Sequence, residues 1–182
     1  MRGHVCPWWG GYFIDNRFRR LLHKPEEILA SYAQRGMTVM DFGCGMGFFS
    51  IAMAGLVGEG GCVISVDLQQ EMLDVLRGRA ERAGVADRIR THRCKRDSVG
   101  VDDPVDFVLA FWAAHEVPNL RAFFNEVHSC LVGGGRLLLA EPRGHVSARA
   151  FGKMIAMAEE TGLNVENEPR IRFSRAATFF KA

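Results

Sequence analysis

The chain has 182 residues, 48% of them hydrophobic and 24% charged, with a formal net charge of +2; that is the make-up of one globular domain with a single core. So small a charge gives no electrostatic case for nucleic acid or an anionic membrane as the main partner, and no apolar run approaches the roughly 20 residues of a membrane span. The N-terminus lacks the apolar core of a secretion signal, and cysteines 6, 44, 62, 94 and 130 share no close spacing, which argues against a disulfide framework or a zinc site and for the reducing cytoplasm.

Trp8, Trp9, Tyr12 and Phe13 make an aromatic arm ahead of the fold proper, and Pro25-Glu26-Glu27 has the make-up of a first helical turn. Strand and helix patterns then alternate. Residues 37–42 read as a first strand and 46–56 as its helix. Residues 62–67 are a second strand ending in an acid, and 70–83 carry Met72, Leu73, Val75, Leu76 and Ala80 at helical spacing up to Gly84. Residues 88–93 are a third strand and 105–111 a fourth, apolar on both faces as central parallel strands are. A helix over 120–131 precedes Gly133-Gly134-Gly135, read as a break before a fifth strand over 136–141. A helix over 146–161 follows, and β-like runs at 171–173 and 177–180 are expected to pair antiparallel.

The alternation predicts an α/β fold: a Rossmann-like doubly wound sheet in three layers, α/β/α, mostly parallel with an antiparallel C-terminal edge strand. It is read as a single domain, with residues 1–36 an arm and helix covering the site and 37–182 the ligand-binding body. The short basic clusters Arg17, Arg19, Arg20, His23, Lys24 and His92, Arg93, Lys95, Arg96 read as solvated surface.

The chemistry concentrates where the first strand meets its helix, at Asp41, Gly43, Cys44, Gly45, Gly47 and Phe48. Alternating glycines permit positive φ and close approach of a ligand, and the helix that follows presents unpaired amides. The spacing is not that of a dinucleotide loop, and no Lys-Ser/Thr pair completes a P-loop. Asp41 would repel a pyrophosphate. Asp67 stands where a doubly wound fold meets a ribose, and Asp97 falls in the loop after the third strand, either on the edge of an adenine or capping a local turn. Acids after three successive strands fit a ligand with an amine, a ribose and an adenine but no phosphate, such as S-adenosylmethionine. Cys44 reads as a small neutral filler. Trp112 belongs either to the ligand pocket or to the core beneath it.

In order, these motifs resemble those of the class I S-adenosylmethionine-dependent methyltransferases, of the small group related to the ubiquinone/menaquinone methyltransferases. Residues 39–47 resemble the acid-x-Gly-x-Gly-x-Gly motif, 63–67 the strand ending in the ribose acid, 94–98 the adenine loop, 106–112 the floor of the active site, and 131–139 a late Gly-Gly motif in which Val132-Gly133 replace Lys-Pro. The resemblance implies S-adenosylmethionine as cofactor, S-adenosylhomocysteine as product and methyl transfer to a small-molecule acceptor. It implies cofactor contacts at Asp41, Gly43, Cys44, Gly45, Gly47, Phe48, Asp67, Leu68, Arg96, Asp97, Ser98, Phe111 and Trp112.

On the acceptor side, His115 is the first candidate base, its pKa lying near neutrality, with Glu116 beside it and Glu141 and His145 as further candidates. The resemblance also implies that the aromatic arm folds over the site; the other reading packs it on a helix or on a second subunit as a homodimer. No recognised metal spacing joins His4 or Cys6 to another ligand, so no metal is expected. Two other functions stay open: a binding module that has lost transfer, and, disfavoured by the glycine spacing and Asp41, a nicotinamide oxidoreductase.

Overall fold

Residue parity along the central strands sorts their side chains to two faces, and this organises a computed structural model that describes residues 23–182. Met40, Val108, Ala110, Leu137 and Leu139 point to one core with Phe123, Phe124 and Val127. Val39, Phe107, Leu109 and Leu138 point to the other with Phe49, Met53, Leu73 and Leu76. Strands buried on both faces are what an open parallel sheet between helical layers requires.

The sheet has seven strands in the order β3-β2-β1-β4-β5-β7-β6. These are β1 (Thr38–Phe42), β2 (Cys62–Asp67), β3 (Ile89–Arg93), β4 (Val105–Phe111), β5 (Leu131–Pro142), β6 (Leu163–Asn167) and β7 (Ser174–Lys181). β1 to β5 pair in parallel; β7 is antiparallel to β5, and β6 pairs with it as the outermost strand. Helices α1 (Pro25–Leu29), α2 (Phe48–Val57) and α3 (Gln70–Ala83) cover one face, α4 (Leu120–Cys130) and α5 (Ala148–Glu160) the other. Ser147 and Asn119 set the starts of α5 and α4, their side chains accepting from the Ala150 and Ala122 amides. The order reverses between β1 and β4, which opens a crevice beyond their carboxyl ends. The aromatic arm, with His4 and Cys6, lies outside the described residues. No helix among those described is long and apolar enough to cross a membrane.

Two elements differ from the sequence expectation. The three glycines do not break the chain before β5: Leu131 pairs with Val105 and Arg136 with Phe107, so the residues between form a bulge within one strand. Gly134 takes φ +77, and a Cβ on Gly135 would lie 2.9 Å from the Val132 carbonyl. Residues 171–173 are not a strand either. The partner of β7 is Leu163–Asn167, whose alternation of apolar and polar residues is short and weakly apolar, while Ile171 is buried against the α1–α3 side of the sheet and the residues around it make the turn.

One side chain takes three donors of the β3–β4 connection. Glu126 Oε2 on α4 accepts hydrogen bonds from Ser98 Oγ at 3.0 Å, Val99 N at 2.7 Å and Gly100 N at 3.0 Å. Glu126→Ala leaves those donors without their acceptor and is expected to lower unfolding stability by about 1–3 kcal/mol, read from urea denaturation.

Candidate functional site

The three loop glycines after β1 serve three different neighbours. Gly43 has φ +69, and a Cβ there would come within 2.3 Å of Ala113 Cβ, so its bareness lets the chain leaving β4 pass close to β1. Gly47, the N-cap of α2 at φ +89, would set a Cβ 2.8 Å from Leu76 of α3. Gly45, at φ +53, would meet nothing within 4 Å; its open side is the crevice. The loop amides are satisfied from β2: Gly43 N and Cys44 N donate to the Val66 carbonyl at 2.9 and 3.0 Å.

Asp67 ties this loop to the next. Its Oδ2 accepts from Gly45 N and its Oδ1 from Gln69 N, both at 2.9 Å. Burial pushes its carboxyl above the ordinary carboxylate value, while the Gln69, Gly45 and Leu68 amides pull the other way. Asp41, only 2% exposed, accepts from Ser50 Oγ at 2.6 Å. Burial, then the charges of Asp41 and Asp67, push the Cys44 thiol far up, and Cys94 is pushed up to about 11 chiefly by burial. Both thiols are therefore neutral and unsuited to nucleophilic attack.

These groups line one cavity of about 560 Å³ that runs on past the ends of β4 and β5, within the usual range for small-molecule sites. Of the residues expected there from sequence, Asp41, Gly43, Cys44, Gly45, Phe48, Asp67, Leu68, Arg96, Phe111 and Trp112 line it, as do His115, Glu116 and His145. Gly47, Asp97 and Ser98 are not in its lining. Gly47 faces α3, Ser98 is held by Glu126, and Asp97 is exposed in the turn between Lys95 and Ser98. Sequence reasoning passed over Met72 and Phe173 and took Cys94 only as part of the adenine loop; all three line it. Helical position on α3 signals Met72; nothing local signals Phe173.

At the far end, His115 Nδ1 lies 2.5 Å from Glu141 Oε2, and the His115 amide donates to Glu141 Oε1 at 3.2 Å. Glu141 is fully buried. A carboxylate can only accept, so Nδ1 carries the proton and Nε2 is left as the basic nitrogen. The hydrogen bond to Glu141 is the main cause that raises the His115 pKa above its ordinary value, against a smaller opposing effect of burial. The His145 ring stands edge-on, 5.8 Å away between centroids. Trp112 resolves into both of its sequence readings: it lines the cavity and packs against the α1–α3 side of the core. It and Phe173 both adopt φ +60, a conformation that costs a bulky residue roughly 1–3 kcal/mol. Trp112 Nε1 donates to Ser174 Oγ at 2.9 Å, which joins β4 to the turn that carries Phe173.

A doubly wound sheet with an acid-flanked, glycine-lined crevice at its switch point defines an α/β domain for an adenosine-bearing ligand. The chain belongs to the methyltransferase domain family, whose model matches residues 33–170. Among curated relatives, a probable cobalt-precorrin-6B C(15)-methyltransferase (decarboxylating) of Pyrobaculum calidifontis is 39% identical over 71 residues, 39% of this chain and 36% of the relative. The ubiquinone/menaquinone biosynthesis C-methyltransferase UbiE of Haemophilus ducreyi is 29% identical over 115 residues, 63% of this chain and 44% of the relative. The chain thus spans less than half the length of these two relatives. A solved SAM-dependent methyltransferase from Aquifex aeolicus superposes with a TM-score of 0.88 at 20% identity, covering 98% of this chain and 100% of that one.

The residues of the crevice fit S-adenosylmethionine. Gly45 leaves a cradle that a side chain would fill, and Asp67 offers a fixed carboxylate with further lone pairs to accept hydroxyl donors. The crevice wall beyond is apolar at Leu68, Met72 and Phe48.

Gly43→Ala combines a forbidding φ with a clash against Ala113 and is expected to cost about 2–4 kcal/mol of stability, seen as a lowered Tm. The His115–Glu141 pair makes a pH-dependent contribution of known sign. The folded pKa of His115 is raised, so that contribution is complete below the unfolded value of about 6.5 and is lost as pH rises through the folded one. Wild type minus Glu141→Gln stability, from urea midpoints across that range, should shrink with rising pH.

Proposed function

We propose that this chain transfers the methyl group of S-adenosylmethionine to a small-molecule acceptor by in-line displacement, with His115 taking the acceptor's proton. The observation that carries this reading is a single cavity with the Asp67–Gly45 clasp in one part of its wall and the His115–Glu141 pair in another. When bound, the cofactor supplies an electrophilic methyl carbon.

The chain's own residues do the rest. Asp67 accepts from the ribose hydroxyls, and Gly43, Cys44 and Gly45 let the ligand lie against the backbone. Leu68 and Met72 flank the adenine, and Asp41 faces the amino group directly or through water. Phe48, Phe111 and Trp112 exclude water from the transfer line. Glu141 holds the His115 ring in one tautomer and orientation, so that Nε2 receives the proton as the acceptor attacks. Positioning of the acceptor is the larger contribution, on the order of 7–11 kcal/mol in well-oriented model reactions. Glu116 and His145 complete the polar wall around the acceptor.

Calorimetry with S-adenosylmethionine, S-adenosylhomocysteine and NAD tests the cofactor part; tight binding of NAD alone would sink the reading. Asp67→Ala is expected to weaken S-adenosylhomocysteine binding by about 1–3 kcal/mol. Release of S-adenosylhomocysteine on incubation with a panel of metabolites tests transfer, and cofactor binding without turnover on any of them would favour a binding module. With a productive acceptor, His115→Ala should lower kcat by about 10²–10⁴ while leaving cofactor affinity intact. In wild type the rate falls as pH drops through the raised pKa of His115; Glu141→Gln should move that limb to lower pH. A limb that stays in place would remove Glu141 from its positioning role.

A further inference from the structure

Positive charge gathers on the two loops at the ends of β5 and β6, and it forms no carboxylate pair among the described residues. Arg143 stands between Pro142 and Gly144, both in the cavity wall, while Arg170, Arg172 and Arg175 surround Phe173, which also lines it. Several arginines elsewhere are paired, Arg77 with Asp74, Arg90 with Asp103, Arg121 with Glu160 and Arg136 with Glu166.

Among the described residues the four loop arginines form no such pair. Arg143 Nε donates to the Ser174 carbonyl at 3.0 Å, and Arg175 Nε to the Val146 carbonyl at 3.1 Å. The Arg172 guanidinium lies 5.2 Å from the centre of the Phe173 ring. Glu168 is the one carboxylate in the segments 142–147 and 168–175.

Phe173 is itself unusual. It is 54% exposed and strained at φ +60, yet its backbone is fastened. Its carbonyl accepts from Arg143 N at 3.0 Å, and Ser174 N donates to the Ile171 carbonyl at 3.1 Å. His23 Nε2 donates to the Arg172 carbonyl at 2.8 Å. A turn held this firmly presents the ring at the cavity while withholding it from the core.

On the reading of this cavity as a methyltransferase site, we infer that the acceptor is an anionic molecule with a planar, apolar body. The body lies against Phe173 and Trp112, where offset or edge-to-face contact with a flat ring is favourable. The anion meets Arg172 and Arg143, whose planar guanidinium groups match a carboxylate or phosphate and have no internal counter-charge. These arginines sit at the protein surface, so their attraction is modest and screened by salt. They select among flat molecules; they do not anchor one alone.

The test is calorimetry on the full chain saturated with S-adenosylhomocysteine, using hydroxynaphthoate, neutral naphthol and the non-planar hydroxycyclohexanecarboxylate as probes. Hydroxynaphthoate is expected to bind at least about fivefold more tightly than either of the others, with the margin over naphthol shrinking in high salt. Naphthyl phosphate in a parallel titration separates a preference for carboxylate from one for phosphate. The double variant Arg143→Gln with Arg172→Gln should abolish the margin over naphthol, read as the ratio of the two affinities so that any shift of the turn that Arg143 Nε helps to hold is common to both probes. Phe173→Gly should weaken both planar probes while leaving Tm unchanged or raised, because φ +60 suits glycine. No binding of either anionic planar probe, equal affinity for charged and neutral planar probes, or a margin that survives the double variant overturns the inference. Failure of S-adenosylhomocysteine itself to bind overturns the underlying reading of the cavity, and the inference with it.

Discussion

The site depends first on one buried carboxylate that accepts two backbone amides. Asp67 at the end of β2 takes Gly45 N from the loop after β1 and Gln69 N at the entry to α3. Two loops that diverge from neighbouring strands are thereby held in one geometry. The bonds are charge-assisted and largely shielded from water, which makes them stronger than neutral ones. The same shielding raises the carboxyl's pKa, and the amides offset part of that. Without the clasp, the Gly45 cradle would be tied to β2 only through Gly43 N and Cys44 N on the Val66 carbonyl.

The glycines make the clasp possible without themselves touching a ligand at every position. Gly43 admits Ala113 and Gly47 admits Leu76, which brings the exit of β4 and the body of α3 against the same loop. Gly43 also borders the cavity, but of the three only Gly45 would set a Cβ in open space. The glycine pattern thus records two packing contacts and one ligand-facing gap, and the cavity inherits its shape from all three.

Most of the sheet was legible in the sequence because its signals are local. β2 and α3 begin and end where the alternation, the helical spacing and Gly84 place them. β5 was harder to read, since a glycine run marks a bulge or a break equally well until the register with β4 is known. β6 was missed because five residues with two buried or half-buried apolar side chains carry little periodic signal. In the site, Asp41, Asp67 and the loop glycines were readable from their places at strand ends. The His115–Glu141 contact was not, although both residues stood among the candidates. It requires Phe111 to pair with Ala140, so that Glu141, near the end of β5, meets the turn that follows β4. Phe173 had no signal at all, its position being set by hydrogen bonds from Arg143 and by the Trp112–Ser174 contact.

That difference divides the cavity into parts built by different means. The part around Asp67 is made from the loops that follow two adjacent strands, tied together by the Val66 carbonyl and the Asp67 carboxylate. The other part is assembled from β4, β5 and the β6–β7 turn by long-range side-chain bonds: Glu141 to His115, Trp112 to Ser174, Arg143 to the turn. Both bulky residues with positive φ among those described, Trp112 and Phe173, belong to this second part. Strain of that kind persists where surrounding contacts over-determine the backbone, and here those contacts do not include the Asp67 clasp. Substitutions in the turn can therefore reshape this second part of the cavity while the clasp that shapes the Gly45 cradle stays in place. A domain built this way keeps the geometry of the Gly45 cradle and leaves the rest of its cavity wall to a few loop residues.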